Sequence, residues 1–230
     1  MSLRKHNNEP RVQSNTAQFT LHIAWGVVLV PVIVLLLGWI TKGVLGDQFR
    51  TIDQQFTDYL RQYSSPALTK LVTWITHLAT SYVIALIMLG AAAWLIFKEH
   101  LNKHAIMLLI AVSGSYLLNE GMKAVFTRAR PDWEHWVHAT GYSFPSGHAM
   151  VSCAAYGMLA YLCYRILRAK QKPTWYITPL AILLIAAIGL SRVYLGVHYI
   201  TDVTAGFLAG GLWLLICIYS LSWLCKTRSS

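Results

Sequence analysis

Six apolar runs dominate the 230-residue chain and constrain its fold more than any other feature. They lie at roughly 20–42, 67–97, 104–126, 146–168, 175–191 and 198–225. About 20 apolar residues suffice for a helix to cross a bilayer. Within hydrocarbon each backbone N–H and C=O needs a partner from the protein itself, so runs of this length read as helices. Only 12% of residues are charged, against about 25% in an ordinary soluble domain. The sequence therefore predicts an all-α, polytopic integral membrane protein of six transmembrane helices. It reads as a single membrane-embedded domain over residues 1–230, with no repeat and no second unit. Pro31 is expected to kink or loosen the first helix. That first run follows a polar stretch and lacks a small-x-small cleavage site, so it reads as a retained helix rather than a signal peptide.

The formal charge of +10 could suggest nucleic acid, but the basic residues sit in short loops rather than on one soluble face. Arg4, Lys5, Arg11, Lys98, Lys103, Arg165, Arg168, Lys170, Lys172, Lys226 and Arg228 fall on one side of the six-span layout. Most acids fall on the other: Asp47, Asp53, Asp58, Asp132, Glu134 and Asp202. The positive-inside rule then places both termini in the cytoplasm. Cys153, Cys163, Cys217 and Cys225 lie in apolar runs without a C-x-x-C pair, which reads as helix packing rather than disulfide or zinc chemistry.

Between the first two spans, Phe49, Ile52, Phe56, Tyr59, Leu60 and Tyr63 recur at three- and four-residue intervals. This spacing predicts an amphipathic helix at the outer face, lying in the membrane interface or against the protein's own loops. Ser65-Pro66 ends it. Trp39, Trp133 and Trp136 read as an outer aromatic belt, and Trp175 and Trp223 as an inner one.

Three polar strings interrupt the apolar sequence, all on the side opposite the termini. They are Lys123-x6-Arg130-Pro131, Pro145-Ser146-Gly147-His148 and Ser191-Arg192-x5-His198-x3-Asp202. A cation at the membrane edge is costly and marks function by default. Arg130 and Arg192 offer planar forks for phosphate oxygens, and Lys123 a point charge. Ser146 and Gly147 open a helix whose first N–H groups and dipole favour an anion. His198 and Asp202, four apart, share a helical face, where a carboxylate fixes the imidazole tautomer. Arg128 reads as a surface or headgroup contact, and Glu120 as a structural partner of Lys123. Gly206 and Gly210 predict close packing of the last helix within the monomer. A metal is disfavoured, because three cations repel a divalent ion and there is no carboxylate cluster for magnesium. No cofactor is expected.

These strings are complete matches to the three signature motifs of the type-2 phosphatidic acid phosphatase family, whose site is shared by vanadium-dependent haloperoxidases. The sequence closely resembles that family across residues 123–202 in motif and in its six-span layout. The resemblance implies that His198 attacks phosphorus to form a phosphohistidine while Asp202 orients it. His148 would protonate the leaving oxygen and then activate water. Lys123, Arg130, Arg192, Ser146 and Gly147 would hold the phosphate oxygens. The layout is similar to phosphatidylglycerophosphate phosphatases, the favoured reading, and to undecaprenyl diphosphate phosphatases of carrier-lipid recycling. A lipid-phosphate transporter is the reading from another class, but transporters favour helices broken mid-span. The expected partners are the bilayer and a phospholipid or isoprenoid phosphate, not nucleic acid.

Overall fold

The structure, a computed structural model, describes the backbone of residues 10–226 and the side chains of residues 28–225. The described chain is helical: α1 (Pro10–Leu45), α2 (Arg50–Arg61), α3 (Pro66–His77), α4 (Ser81–Phe97), α5 (Asn102–Phe126), α6 (Gly147–Ala169), α7 (Ile177–Tyr194) and α8 (Ile200–Lys226). α1, α5, α6, α7 and α8 are each long and apolar enough to cross a membrane. α1 runs through Pro31 as one helix. The chain is a multi-pass membrane protein.

The span expected at 67–97 is not one rod. α3 and α4 meet at 50° across Leu78–Thr80. Apolarity continues through Leu78 and Ala79, so hydropathy gave no sign of the break. Local hydrogen bonding explains it. Thr80 Oγ1 donates to His77 O at 2.7 Å, and Ile84 N donates to Thr80 O at 3.0 Å. Tyr156 of α6 donates its hydroxyl to Leu78 O at 2.6 Å. The backbone groups released by the bend thus find partners, as burial in a membrane demands.

α6 lies at the centre, packed on α5, α7 and α8, while α1 leans on α8 alone among its stronger neighbours. The main core joins Ile84, Met88 and Leu95 of α4, Leu108 of α5, Met158 and Leu162 of α6, and Leu221 of α8. Lipid tails are as apolar as leucine, so close approach of small residues holds such helices together. A Cβ at Gly206 would lie 2.7 Å from Ser146 O, and one at Gly210 2.4 Å from Met150 O. The two glycines therefore seat α8 directly on the backbone of α6, within the monomer as expected. On the outside, Leu35, Leu86 and Leu183 are exposed, as suits a surface covered by lipid.

The amphipathic helix is present as α2, resting on α7 and α8. Phe56 and Leu60 pack against Ala149, Val193 and Val203. Two polar residues are the fully buried ones: Asp53 and Thr57. The aromatic belt is also revised. Trp39, Trp175 and Trp223 are exposed, but Trp133 donates to Gly196 O at 2.9 Å and stacks edge-on with Tyr199. Trp136 lies between Tyr194 and the Arg61 guanidinium. These two brace the loops at this end of the bundle instead of standing free as belt residues. The four cysteines are free.

Candidate active site

The three strings come together at one end of the bundle because short hydrogen bonds pin their loops. α5 stops at Thr127, whose left-handed backbone ends the helix. Ser143 N then donates to Arg128 O at 2.9 Å, and Ser143 Oγ to Ala129 O at 2.8 Å. This lays the first string beside the second. Ser146 N donates to Asp202 O at 3.0 Å, which ties the second to the third. α6 begins at Gly147 with Ser146 as N-cap, and Pro145 stands just outside the helix. α8 begins at Ile200, two residues beyond His198.

Lys123, Arg130, Gly147, His148, Arg192 and His198 line one cavity of about 740 Å³. Ser146 and Asp202 sit behind that wall, both fully buried. Away from the charged end, the same cavity continues along Ala85, Met88 and Leu89 of α4 and Leu109, Val112 and Leu117 of α5. Its cationic end thus opens onto an apolar trough between two helices.

His198 is 2% exposed. Its Nδ1 faces Asp202 Oδ2 at 3.5 Å, an ion-pair separation slightly long for a hydrogen bond. Its Nε2 points the other way, 3.3 Å from Arg130 Nη1. Burial lowers the imidazole to about 4; the Asp202 carboxylate pulls upward, and the Arg192 and Arg130 charges push further down. Burial thus favours the neutral ring at physiological pH, with Nε2 directed toward Arg130 at the cavity wall.

The cations are held differently from one another. Arg130 donates Nε to Gly141 O at 3.0 Å, Nη2 to Thr140 O at 2.7 Å and Nη1 to Val197 O at 2.8 Å. Much of the expected fork is thus engaged by carbonyls, and its Nη1 edge is what reaches the histidine. Arg192 is buried, gives Nη1 to Thr76 Oγ1 at 2.8 Å, and keeps Nε without a protein partner. Ser146 Oγ is likewise buried and unpartnered. Lys123 pairs with Glu120 at 3.4 Å, as its spacing suggested.

Four residues that the motifs do not contain complete the site. Thr76, brought in by the α3–α4 bend, holds Arg192. Asn119 donates to Pro145 O at 3.2 Å, and its Oδ1 would meet a Cβ at Gly147 at 2.9 Å, so it fixes the turn before His148. Arg128 is the plainest correction. Instead of reaching the surface it donates Nη1 to Asp202 Oδ1 at 2.5 Å and Nη2 to Asp53 Oδ2 at 2.8 Å. Burial lowers this guanidinium's pKa, but the Asp202 and Asp53 carboxylates more than offset that and hold it above its ordinary value. Asp53 was visible only as a carboxylate between Phe49, Phe56 and Leu60 on the helical projection, a polar residue on an apolar face.

A family model of the PAP2 superfamily matches residues 103–225. The chain belongs to the PAP2 superfamily. This PAP2 protein is 35% identical over 146 residues to phosphatidylglycerophosphatase B of Bacillus subtilis, covering 63% of this chain and 71% of that one. It is 33% identical over 127 residues to an undecaprenyl-diphosphatase of Sulfolobus acidocaldarius, covering 52% and 55%. Its fold matches the crystal structure of a transmembrane PAP2-type phosphatidylglycerolphosphate phosphatase from Bacillus subtilis with a TM-score of 0.79. That match has 27% identity and covers 83% of this chain and 94% of the other. The PAP2 protein described here is a membrane hydrolase acting on lipid phosphates.

Proposed function

We propose that this PAP2 protein converts phosphatidylglycerophosphate to phosphatidylglycerol through a phosphohistidine at His198, without a metal ion. One observation carries the reading: a single cavity joins the cations Lys123, Arg130 and Arg192 and both histidines to an apolar trough. The charged end suits a phosphate and the trough suits acyl chains. Arg192, which lines the cavity, keeps a buried Nε donor without a protein partner, and this fits an anion-binding site, since such groups are costly to leave unpaired.

In this mechanism, Asp202 favours the Nδ1–H tautomer of His198 and leaves the Nε2 lone pair toward the cavity. Nε2 forms a bond to phosphorus as the bond from phosphorus to the lipid oxygen breaks. His148, on the first turn of α6, gives its proton to that leaving oxygen. It then takes a proton from water, which attacks phosphorus and releases inorganic phosphate from Nε2. The three cations stabilise negative charge on the non-bridging oxygens throughout. Among the described residues no group of three or more His, Cys, Asp and Glu is placed to hold a metal ion. The charge asymmetry of the loops supports cytoplasmic termini and a site on the extracytoplasmic side.

The archaeal relative favours a second reading, hydrolysis of undecaprenyl diphosphate. A substrate panel in detergent with a chelator present separates the two. Faster phosphate release from phosphatidylglycerophosphate supports the first reading, and faster release from the diphosphate replaces it with the second. Release from neither, with release from another lipid phosphate such as phosphatidic acid, overturns both readings.

A further inference from the structure

We propose that Asp53 and Arg128 form a positioning relay that sets the orientation of Asp202 behind His198, making α2 part of the active-site machinery. The inference rests on the reading of His198 as nucleophile and adds two residues outside its motifs. Asp53 is fully buried although it comes from a helix outside the spans. It accepts Arg128 Nη2 at 2.8 Å and Thr201 N at 3.1 Å, and Thr201 Oγ1 lies 2.8 Å from its Oδ2. Arg128 lies over the Tyr199 ring at 4.0 Å, which restrains its guanidinium plane. Its other arm reaches Asp202 Oδ1, while Asp202 Oδ2 accepts Tyr199 N at 3.0 Å. Both oxygens of Asp202 therefore have partners besides the imidazole, Oδ1 from Arg128 and Oδ2 from the Tyr199 backbone.

Two effects follow from one geometry. Thr201 lies in the first turn of α8, so Asp53 caps that helix from another element and sets where His198 and Asp202 stand. One guanidinium is also shared between two carboxylates. Without Asp53, Arg128 would pair with Asp202 alone and weaken its support for positive charge on His198. A bonded pair buried this deeply is sensitive to loss of either member.

The test uses purified full-length protein in detergent and a short-chain lipid phosphate. Asp53→Asn should lower kcat by about 10- to 100-fold with KM little changed, the range for losing an outer partner of a site residue. Arg128→Lys should fall between wild type and Arg128→Gln, because an ammonium holds one carboxylate well but not two. Asp53→Asn combined with Arg128→Gln should be no worse than Arg128→Gln alone. Wild-type kcat in Asp53→Asn would overturn the relay, as would losses that multiply in the double variant. So would losses in Asp53→Asn and Arg128→Lys that vanish when rates are divided by the number of phosphoenzyme sites, which marks folding alone. His198→Ala in the same series keeps the two claims apart. Activity there sinks the underlying mechanism, whereas an inactive His198→Ala beside a normal Asp53→Asn sinks only the relay.

Discussion

In the proposed mechanism, the surroundings of His198 fit it for attack more than its identity alone. Deep burial and two neighbouring guanidiniums hold it neutral, with Nδ1 facing Asp202 and Nε2 directed toward Arg130. His198→Ala is therefore expected to abolish phosphate release. His148→Ala should reduce the rate by roughly 10²–10⁴-fold, the usual share of a general acid–base group. The protonation state is checkable directly. In substrate-free protein, an imidazole NMR titration should show His198 neutral down to about pH 4, well below the ordinary histidine value. The sign follows from the favoured form: burial stabilises the uncharged ring, so protonation is postponed to lower pH. A His198 signal titrating near pH 6.5 would contradict that environment. At this scale the motifs exposed the groups that face the cavity, because each must be a specific ionisable type. They missed Asp53, Thr76 and Asn119 and misread Arg128, whose partners lie far away along the chain. A side chain 148 residues from its partner leaves no local spacing to detect.

Helix packing decides whether those residues meet. α8 can carry Asp202 to the Ser146 backbone only because Gly206 and Gly210 allow two helices to touch main chain to main chain. Gly210→Leu should push α8 from α6 and destabilise the protein by about 1–3 kcal/mol, the typical cost of overpacking. Thermal unfolding in detergent would measure it, and an unchanged midpoint would show that the contact is not tight. The G-x-x-x-G spacing announced this packing in the sequence. The α3–α4 bend went unannounced, because Leu78 and Ala79 keep the run apolar while Thr80 alone redirects the hydrogen bonds. For α2 the periodicity placed a helix correctly, yet the stripe of Phe49, Phe56 and Leu60 hid the Asp53 that ties it to the catalytic end.

For the molecule as a whole, apolar run length and loop charge read out a multi-pass helical protein, since bilayer thickness imposes both. Sidedness makes its own prediction. A cysteine at Glu134, in the loop beside the site, should react with an impermeant maleimide added outside intact cells. One at Gln171, in the basic loop between α6 and α7, should react only after permeabilisation. The reverse pattern would place the site on the cytoplasmic face. The proposed mechanism turns on a covalent phosphoryl group carried by one nitrogen of His198. Rapid acid-free quenching of the protein during turnover of a ³²P-labelled lipid phosphate, followed by peptide mapping, reads that event directly. The account predicts a base-stable, acid-labile label on His198 that is absent from His198→Ala. Turnover without any labelled protein, or a label on His148, would contradict it.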